Sequence, residues 1–411
     1  MFKPTKNKLS IFFLVLTFLP LIVMRLIVYP ITFQALKGEI VKKLDIAAHK
    51  QSELIMKWME ERTDDAQRIA KNPFVALAIQ SFTGNTEQAE LLKRLDRVKY
   101  FDYLWREHGY KEVFIADRTG IVRIASRQEL VGTNIETKDY FRSAMGGAIF
   151  ASSIIPSDIP VENEWGTPEI GMPTMLISAP VRNGSDAVAG TVVLRIDVSE
   201  INRMMQNIRI GTTGETYLIN SYGYMLTESK FAEVLKKQQR IKSRSALELK
   251  VSGPGADILT KGVRECLKGS EGFDADGYPD YRGVNVLGFW HWMPEYGWGV
   301  IAEIDVDEGY GTLYQLRNYI MFIFGIVAVA VIVIAFFLGK KISVSIHDIT
   351  EIAAKIANGS YHTRVAYKSD DEMGKLASAI NKMAEALESR AQMSEQTKPS
   401  GEILPQADKK I

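Results

Sequence analysis

The sequence predicts an α+β membrane protein: two lipid-crossing helices, a large loop of mixed helix and antiparallel sheet between them, and an all-α segment after the second. Three observations carry that prediction. Residues 319–338, YIMFIFGIVAVAVIVIAFFL, hold no charge and are followed at once by Gly339-Lys340-Lys341. About 20 apolar residues cross the hydrocarbon of a bilayer as a helix, and a helix pairs every backbone group within the segment. The loop before this span carries short runs of strand-like residues in two similar sets. The segment after it carries apolar residues spaced by three and four, as in the seam of a coiled coil.

Composition sets the outer bounds. The 411 residues allow two or three domains. Lys plus Arg number 50 and Asp plus Glu 49, for a net charge of +1. That balance gives no broad basic footprint, and no nucleic-acid partner is expected. The single cysteine, Cys266, excludes an intrachain disulfide and a cysteine-based zinc site.

Residues 1–8 form a short basic start with Lys3, Lys6 and Lys8, and 9–33 form the first membrane helix, broken by Pro20, Arg25 and Pro30. Arg25 lies toward the outer end, where its side chain reaches the interface. A cleaved secretory signal is the alternative reading of the basic start and the apolar run 11–24, although no clear small-x-small cleavage site follows. Lys3, Lys6 and Lys8 and then Lys340 and Lys341 flank the two spans on the sides away from the loop. Cytoplasmic flanks are rich in lysine and arginine. Both termini are therefore expected in the cytoplasm, with 34–318 outside the plasma (inner) membrane.

The loop opens with a helical pattern from 35 to about 80. Ile40, Leu44, Ala47, Leu54, Ile55, Trp58, Met59, Ile69 and Ala70 fall three and four apart between charges. This stripe packs on the following domain or on a second copy of itself. The period then shortens. EVFIA at 112–116, IVRIA at 121–125, MLIS at 175–178 and TVVLRI at 191–196 read as strands. A second set follows: TYLIN at 216–220, YMLT at 224–227, VNVLGFWHW at 284–292 and GVIAEI at 299–304. The sets repeat one another. Each begins with a strand, a short turn ending in Gly120 or Gly223, and a second strand; each ends in Ile-Asp-Val before a helix. Two tandem copies of one α+β unit explain the pattern. Trp290, Trp292 and Trp298 read as core of the second copy.

These residues resemble a double-Cache sensor domain. The resemblance rests on Lys138-Asp139-Tyr140-Phe141 with Ala144 and Gly146-Gly147, on Ser152-Ser153, on Ser178-Ala179-Pro180-Val181, and on 190–197, in the family's order and spacing. It covers about 35–316. It implies a long N-terminal helix and two PAS-like units, a distal one at about 81–205 and a proximal one at about 206–310. It also implies a small-molecule ligand in the distal unit. The amine-sensing branch of the family carries Arg-x-Trp-Tyr and a later Asp. Here Lys138, Tyr140 and Phe141 match the first motif and Asp197 the second. Lysine lacks the bidentate fork of arginine, so an organic acid stands beside an amino acid or amine as the expected ligand. The candidate ligand-binding residues are Arg123, Lys138, Tyr140, Phe141, Ser152, Trp165 and Asp197. Structural roles compete for several of them. Tyr140 and Phe141 fit a core, Asp197 fits a helix cap, Arg123 fits an exposed strand position, and Trp165 fits either a lid or a loop in the insertion 159–172.

After the second span, Ile342, Ile346, Ile349, Ala353 and Ile356 form one seam, and Met373, Leu376, Ile380, Met383 and Leu387 another. Asn358-Gly359 closes the first helix, and Ser369-Asp370-Asp371-Glu372 opens the second with cap acceptors and negative charge. Val365 anchors the connector. Two helices this short bury their seams only when two copies form a parallel four-helix bundle, so a homodimer is expected. With Asp371-Glu372-Met373-Gly374 and Asn381-Lys382-Met383, the segment 339–391 resembles a HAMP domain. Ser345 stands where that family often has proline. The end, 392–411, is polar with Pro399, Gly401 and Pro405 and reads as a disordered tail.

No Ser-His-Asp set, metal cluster or cofactor motif is assembled from this sequence, and His347 and His362 read as surface or connector positions. No enzyme activity is expected. The combined reading is a dimeric transmembrane receptor that passes its signal to a separate output protein, a histidine kinase or a chemotaxis-type partner. The alternatives are a membrane scaffold whose outer domain binds a protein, and a fragment of a longer receptor.

Overall fold

Residues Tyr29–Ala70 form one helix, α1. The computed structural model describes residues 15, 18–20, 22–83, 110–163, 166–255 and 257–396. The chain divides into two units, Phe33–Tyr314 and Met1–Thr32 with Gln315–Ile411.

In the first of these units, α1 buries the expected stripe, including Ile40, Leu44, Ile55, Trp58, Met59 and Ile69. Leu54, read as part of that stripe, is exposed. Buried Gln51 donates from Nε2 to the Met204 carbonyl at 2.9 Å, while its Oε1 has no hydrogen-bond partner among the described residues. The helix predicted to run to about 80 is interrupted after Ala70. Asn72 Oδ1 accepts the Phe74 N–H at 2.9 Å, and Pro73 opens a new helix, α2 (Pro73–Thr83). Proline is at home in a first helical turn, where its missing N–H removes no bond.

Among the described residues twelve strands follow, with short helices around them. They are β1 (Glu112–Asp117), β2 (Val122–Ala125), β3 (Phe150–Ala151), β4 (Ile155–Pro156), β5 (Val161–Glu162), β6 (Pro168–Glu169), β7 (Pro173–Arg182), β8 (Val188–Asp197), β9 (Glu215–Asn220), β10 (Gly272–Pro279), β11 (Asn285–Met293) and β12 (Trp298–Asp305). The helices are α3 (Asp139–Met145), α4 (Ser199–Asn207), α5 (Ala232–Lys237), α6 (Lys261–Cys266) and α7 (Val306–Gly309). The first sheet has the order β2-β1-β8-β7-β3, with β4 also on β7; the second has the order β10-β11-β12-β9. Strands β9, β12, β11 and β10 thus take the places of β1, β8, β7 and β3, the repeat expected from sequence. The turns repeat too. Asp117 Oδ1 accepts the N–H of Thr119, Asn220 Oδ1 accepts that of Tyr222, and Gly120 and Gly223 close the turns with φ of 82° and 77°.

The return arm at 224–227 is not a strand. It makes only isolated bridges, such as Met225 with Ile219. The Thr227 hydroxyl accepts the Leu218 N–H at 3.1 Å, taking a place a strand carbonyl would fill. Strand β10, GFDADGYP, carries no alternating signal and was missed in the sequence.

Side chains alternate across each sheet. Val113, Ile115, Met175, Ile177, Val192 and Leu194 of the first sheet, with Leu218, Leu287, Phe289, Val300 and Ala302 of the second, share one core with α1. On the opposite faces lie two smaller cores, one around Phe114, Phe141, Leu176 and Val193, the other around Tyr217, Trp290 and Ile301. Trp298 and Trp290 are buried, but on opposite faces of the second sheet. Cys266 is fully buried, and burial pushes its thiol up to about 12.

The other unit holds the two apolar spans. Helices at Phe18–Ala70 and Gly311–Ile334 are long and apolar enough to cross a membrane. A π turn at Met24–Val28 precedes Pro30 in the first, a usual place for a helix to absorb a local break. The second lies within α8 (Gly311–Ala357). Its Phe322 is 69% exposed and its Phe337 66%, which suits solvation by lipid and not a soluble core.

Beyond the span, Ile349 of α8, Val365 and Ala377 of α9 (Glu372–Gln396) form a small core. Val365 is clamped by Asn381, which accepts its N–H at 2.7 Å and donates to its carbonyl at 3.0 Å. Helix α9 runs to Gln396, into the stretch expected to lack structure, because Ala391, Gln392 and Met393 are good helix formers ahead of Pro399. Residues 397–411 of that expected tail lie outside the described residues.

Gly374 is required by close approach. Asp371 Oδ1 accepts its N–H at 2.9 Å, and a Cβ there would collide with the Ser369 carbonyl oxygen. Gly374→Ala is therefore expected to destabilise the start of α9 by about 1–3 kcal/mol. Hydrogen exchange in full-length protein should show α9 amides opening about 5–150-fold faster. Unchanged protection would refute this account of the glycine.

Candidate functional site

The face of the first sheet turned away from α1 is built from three strands and one helix. Alternation places Glu112 and Phe114 of β1, Val193 and Arg195 of β8, and Thr174, Leu176 and Ser178 of β7 on this face. Register sets Glu112 opposite Arg195, and Arg195 opposite Leu176. Helix α3 lies over them. The Ser178 hydroxyl donates to the Tyr140 carbonyl at 2.7 Å, and Phe141 enters the core beside Phe114.

One end of this face is apolar and the other is ionic. Glu112 is fully buried and Arg195 is 4% exposed. Arg195 Nε donates to Glu112 Oε2 at 3.1 Å. Its Nη1 reaches the Thr174 hydroxyl at 3.3 Å and the Ser157 hydroxyl at 3.4 Å. Its Nη2 donates to Asp158 Oδ1 at 2.7 Å. The Asp158 side chain is itself 72% exposed, so it forms the solvent edge of the cluster. Glu112 Oε1 is buried without a hydrogen-bond partner among the described residues. Burial raises the Glu112 carboxyl above its ordinary range, while the Arg195 charge opposes that rise. Tyr140 stands close enough to feel the same charges. Burial first, then Asp158 and Glu112, push its hydroxyl up to about 12, against Arg195.

The residues named from sequence are placed unevenly. Tyr140 is half-buried at the cluster and meets Phe114 edge-on, ring centroids 6.4 Å apart. Phe141 is a core residue. Lys138 is exposed at the start of α3. Asp197 shares the face with Arg195, but it turns the chain into α4, accepting the Ser199 N–H at 2.8 Å and hydroxyl at 3.0 Å. Its other neighbour is Lys111 Nζ at 3.5 Å. Arg123 is paired with Asp117 at 2.6 Å within the β1–β2 hairpin. Ser152 holds β7, its hydroxyl accepting the Leu176 N–H at 2.9 Å. Trp165 lies outside the described residues. The insertion around it is anchored, with Arg127 donating to the Pro160 carbonyl and Arg244 to the Gly171 carbonyl.

Glu112, Arg195, Asp158, Thr174 and Ser157 were not singled out from sequence. A signal existed for two of them: Arg195 is a charge inside the apolar run TVVLRI, and Glu112 heads the apolar run EVFIA. Asp158 had none.

The chain is similar to several solved sensor domains. The sensor domain of the V. cholerae histidine kinase DctB is 14% identical, over 67% of this chain and 98% of that one, with a TM-score of 0.42. The sensory domain of the Campylobacter jejuni chemoreceptor Tlp3 is 13% identical, over 68% and 98%, with a TM-score of 0.46. The ligand-binding domain of Mlp24, solved with asparagine, is 10% identical, over 67% and 98%, with a TM-score of 0.43. No curated protein matches by sequence. The HAMP domain model matches residues 337–389. The Cache domain model, in its double form, matches residues 33–313. That match spans more than half of the sequence, and the chain belongs to the Cache domain family.

Proposed function

We propose that this chain, a signal-transduction receptor by its Cache and HAMP domains, binds a small molecule bearing both a carboxylate and an ammonium group in the distal unit. The observation that carries the reading is the buried Arg195–Glu112 pair. Arg195 keeps one arm on an exposed aspartate, and Glu112 keeps one oxygen unpaired. A ligand carboxylate would replace Asp158 on Arg195, gaining a charge-assisted bond. A ligand ammonium would satisfy Glu112 Oε1, a buried acceptor that is otherwise costly. Tyr140 would cover the pair. An amino acid uses both halves of the site; an organic acid or a simple amine uses one.

A ligand shifts an equilibrium only by its differential affinity for two states. The receptor would relay occupancy through its membrane helices to the HAMP helices by shifts of about 1–2 Å. Ile346, Leu376 and Met383 of the predicted seams are exposed in the single chain, and a second copy would cover them, giving a homodimer. Both termini lie in the cytoplasm on this reading, by the lysines at the outer flanks of the two spans. The output is carried by a separate histidine kinase or chemotaxis-type protein, and the proposal includes no catalysis.

Titration calorimetry of the full chain in nanodiscs against amino acids, amines and organic acids tests the reading. Amino acids are expected to bind. Asp158→Ala is expected to tighten carboxylate binding severalfold, since it removes the competitor for Arg195. Binding by no compound at millimolar concentration would overturn the proposal. One observation favours the scaffold alternative: Phe141, Phe114 and Leu176 fill much of the face themselves. A face that takes no metabolite but crosslinks to a specific protein would support that reading.

A further inference from the structure

The structure brings together three metal-ligating side chains in the proximal unit that are far apart in sequence. His49 lies on α1 and His291 on β11. Glu271 directly precedes β10, whose register sets Gly272 opposite Trp290; one step further sets Glu271 opposite His291. Alternation turns His291 to the same side as Phe289, the face packed on α1. One ligand atom from each of the three residues lies within 4.8 Å of the others. His49 Nε2 is 3.3 Å from Glu271 Oε2, and His291 Nδ1 is 2.9 Å from the same oxygen. Zinc bonds of about 2.0–2.1 Å in a tetrahedron separate adjacent ligands by about 3.3 Å, and these spacings, which are also those of hydrogen bonds, fit such a shell.

A second feature points the same way. His49 Nδ1 lies 2.6 Å from Asp45 Oδ1 and 3.1 Å from the Asp45 carbonyl, one turn back on α1. Both are acceptors, so Nδ1 carries a proton, and a cation that displaces the proton from Nε2 would take that lone pair on the side of Glu271. A carboxylate behind a histidine is the usual support of a metal ligand, fixing its tautomer and raising its basicity. The rings of His49 and His291 stand 4.9 Å apart at 41°, and Phe289 backs His49 at 5.8 Å. His49 is 47% exposed and His291 25%, which leaves an entry path and a fourth position for water.

We propose that His49, Glu271 and His291 bind a divalent zinc-class ion, with Asp45 as the positioning residue behind His49. Two imidazoles and one carboxylate suit borderline transition metals and not calcium or magnesium. The ion would pin α1, which continues to Tyr29, to the edge of the second sheet at β10 and β11.

The test uses tag-free full-length protein in detergent, with Co2+ as the spectroscopic probe and Zn2+ as competitor. One equivalent of Co2+ is expected to give the visible absorption of a four-coordinate site, displaced by Zn2+. His49→Ala and His291→Ala should each abolish the band. Asp45→Asn should weaken Zn2+ binding about 10–100-fold. His347→Ala, on α8, should change nothing. All three side chains at the site are part-exposed, so the variants should keep the circular dichroism of the parent. Absence of the band in the parent protein, or its survival in either folded histidine variant, overturns the proposal.

Discussion

Glu303→Gln is expected to flatten the pH dependence of stability that the second sheet imposes on this protein. Glu303 of β12 stands directly opposite Glu215 of β9, on the face packed with Tyr217 and Tyr278. Tyr278 donates to its Oε1 at 2.7 Å and Tyr217 to its Oε2 at 3.1 Å. Burial, reinforced by the charges of Asp280 and Glu215, lifts the Glu303 carboxyl from 4.5 to about 8, while the tyrosine hydroxyls pull the other way. The folded protein therefore holds a proton that the unfolded chain has released. Stability is full below the unfolded value near 4.5, falls as pH rises toward about 8, and levels off above. The slope is at most about 1.4 kcal/mol per pH unit, so the window is worth up to about 4–5 kcal/mol. Glutamine is neutral throughout and keeps the shape and much of the hydrogen bonding. Melts of the parent between about pH 4 and 9, an interval that spans this window, should show a falling Tm. The variant should show a much smaller fall, with a residue from Glu215, whose carboxyl burial also raises. Parallel curves for the two proteins would reject this account.

Arg195→Ala is expected to destabilise the first sheet by about 3–5 kcal/mol, because it strands Glu112 in the interior. Glu112 has no exposed surface. Its Oε1 has no partner among the described residues, and its Oε2 would lose the Arg195 bond. The pair as a whole is another matter. Replacing both charges, Arg195→Met with Glu112→Leu, removes two desolvated ions together and is expected to be neutral or stabilising. Denaturation of the single and double variants separates the cases. The double variant also isolates function: it should fold, and it should lose ligand binding if the pair is the recognition element. A single variant as stable as the parent would mean that Glu112 is already neutral and that the pair carries little.

Periodicity made much of this fold legible. The uncharged run before Lys340, the strand sets around Gly120 and Gly223, and the seams at Ile349 and Ile380 each depend on residues close together in the chain. Their spacing decides whether a helix or a strand forms and which side is apolar. Asp117 and Asn220 close their turns by local side-chain bonds, so those turns could be read without a third dimension. The break at Asn72-Pro73 could have been read the same way.

The site was less legible. Tyr140 reached the ionic cluster, but Arg123, Ser152 and Asp197 are held by bonds to near neighbours in space. Asp197 lies opposite Thr174, and only the structure shows that its carboxylate already takes both donors of Ser199. Glu112 against Arg195, Glu215 against Glu303, and His49 with Glu271 and His291 are pairings of distant segments. The amino-acid order alone determined the elements, their apolar faces and the two apolar spans, because local geometry repeats with a fixed period. Strand order and register decided which charges face one another, because a strand's sequence states which side is buried but not which distant residue will stand across from it.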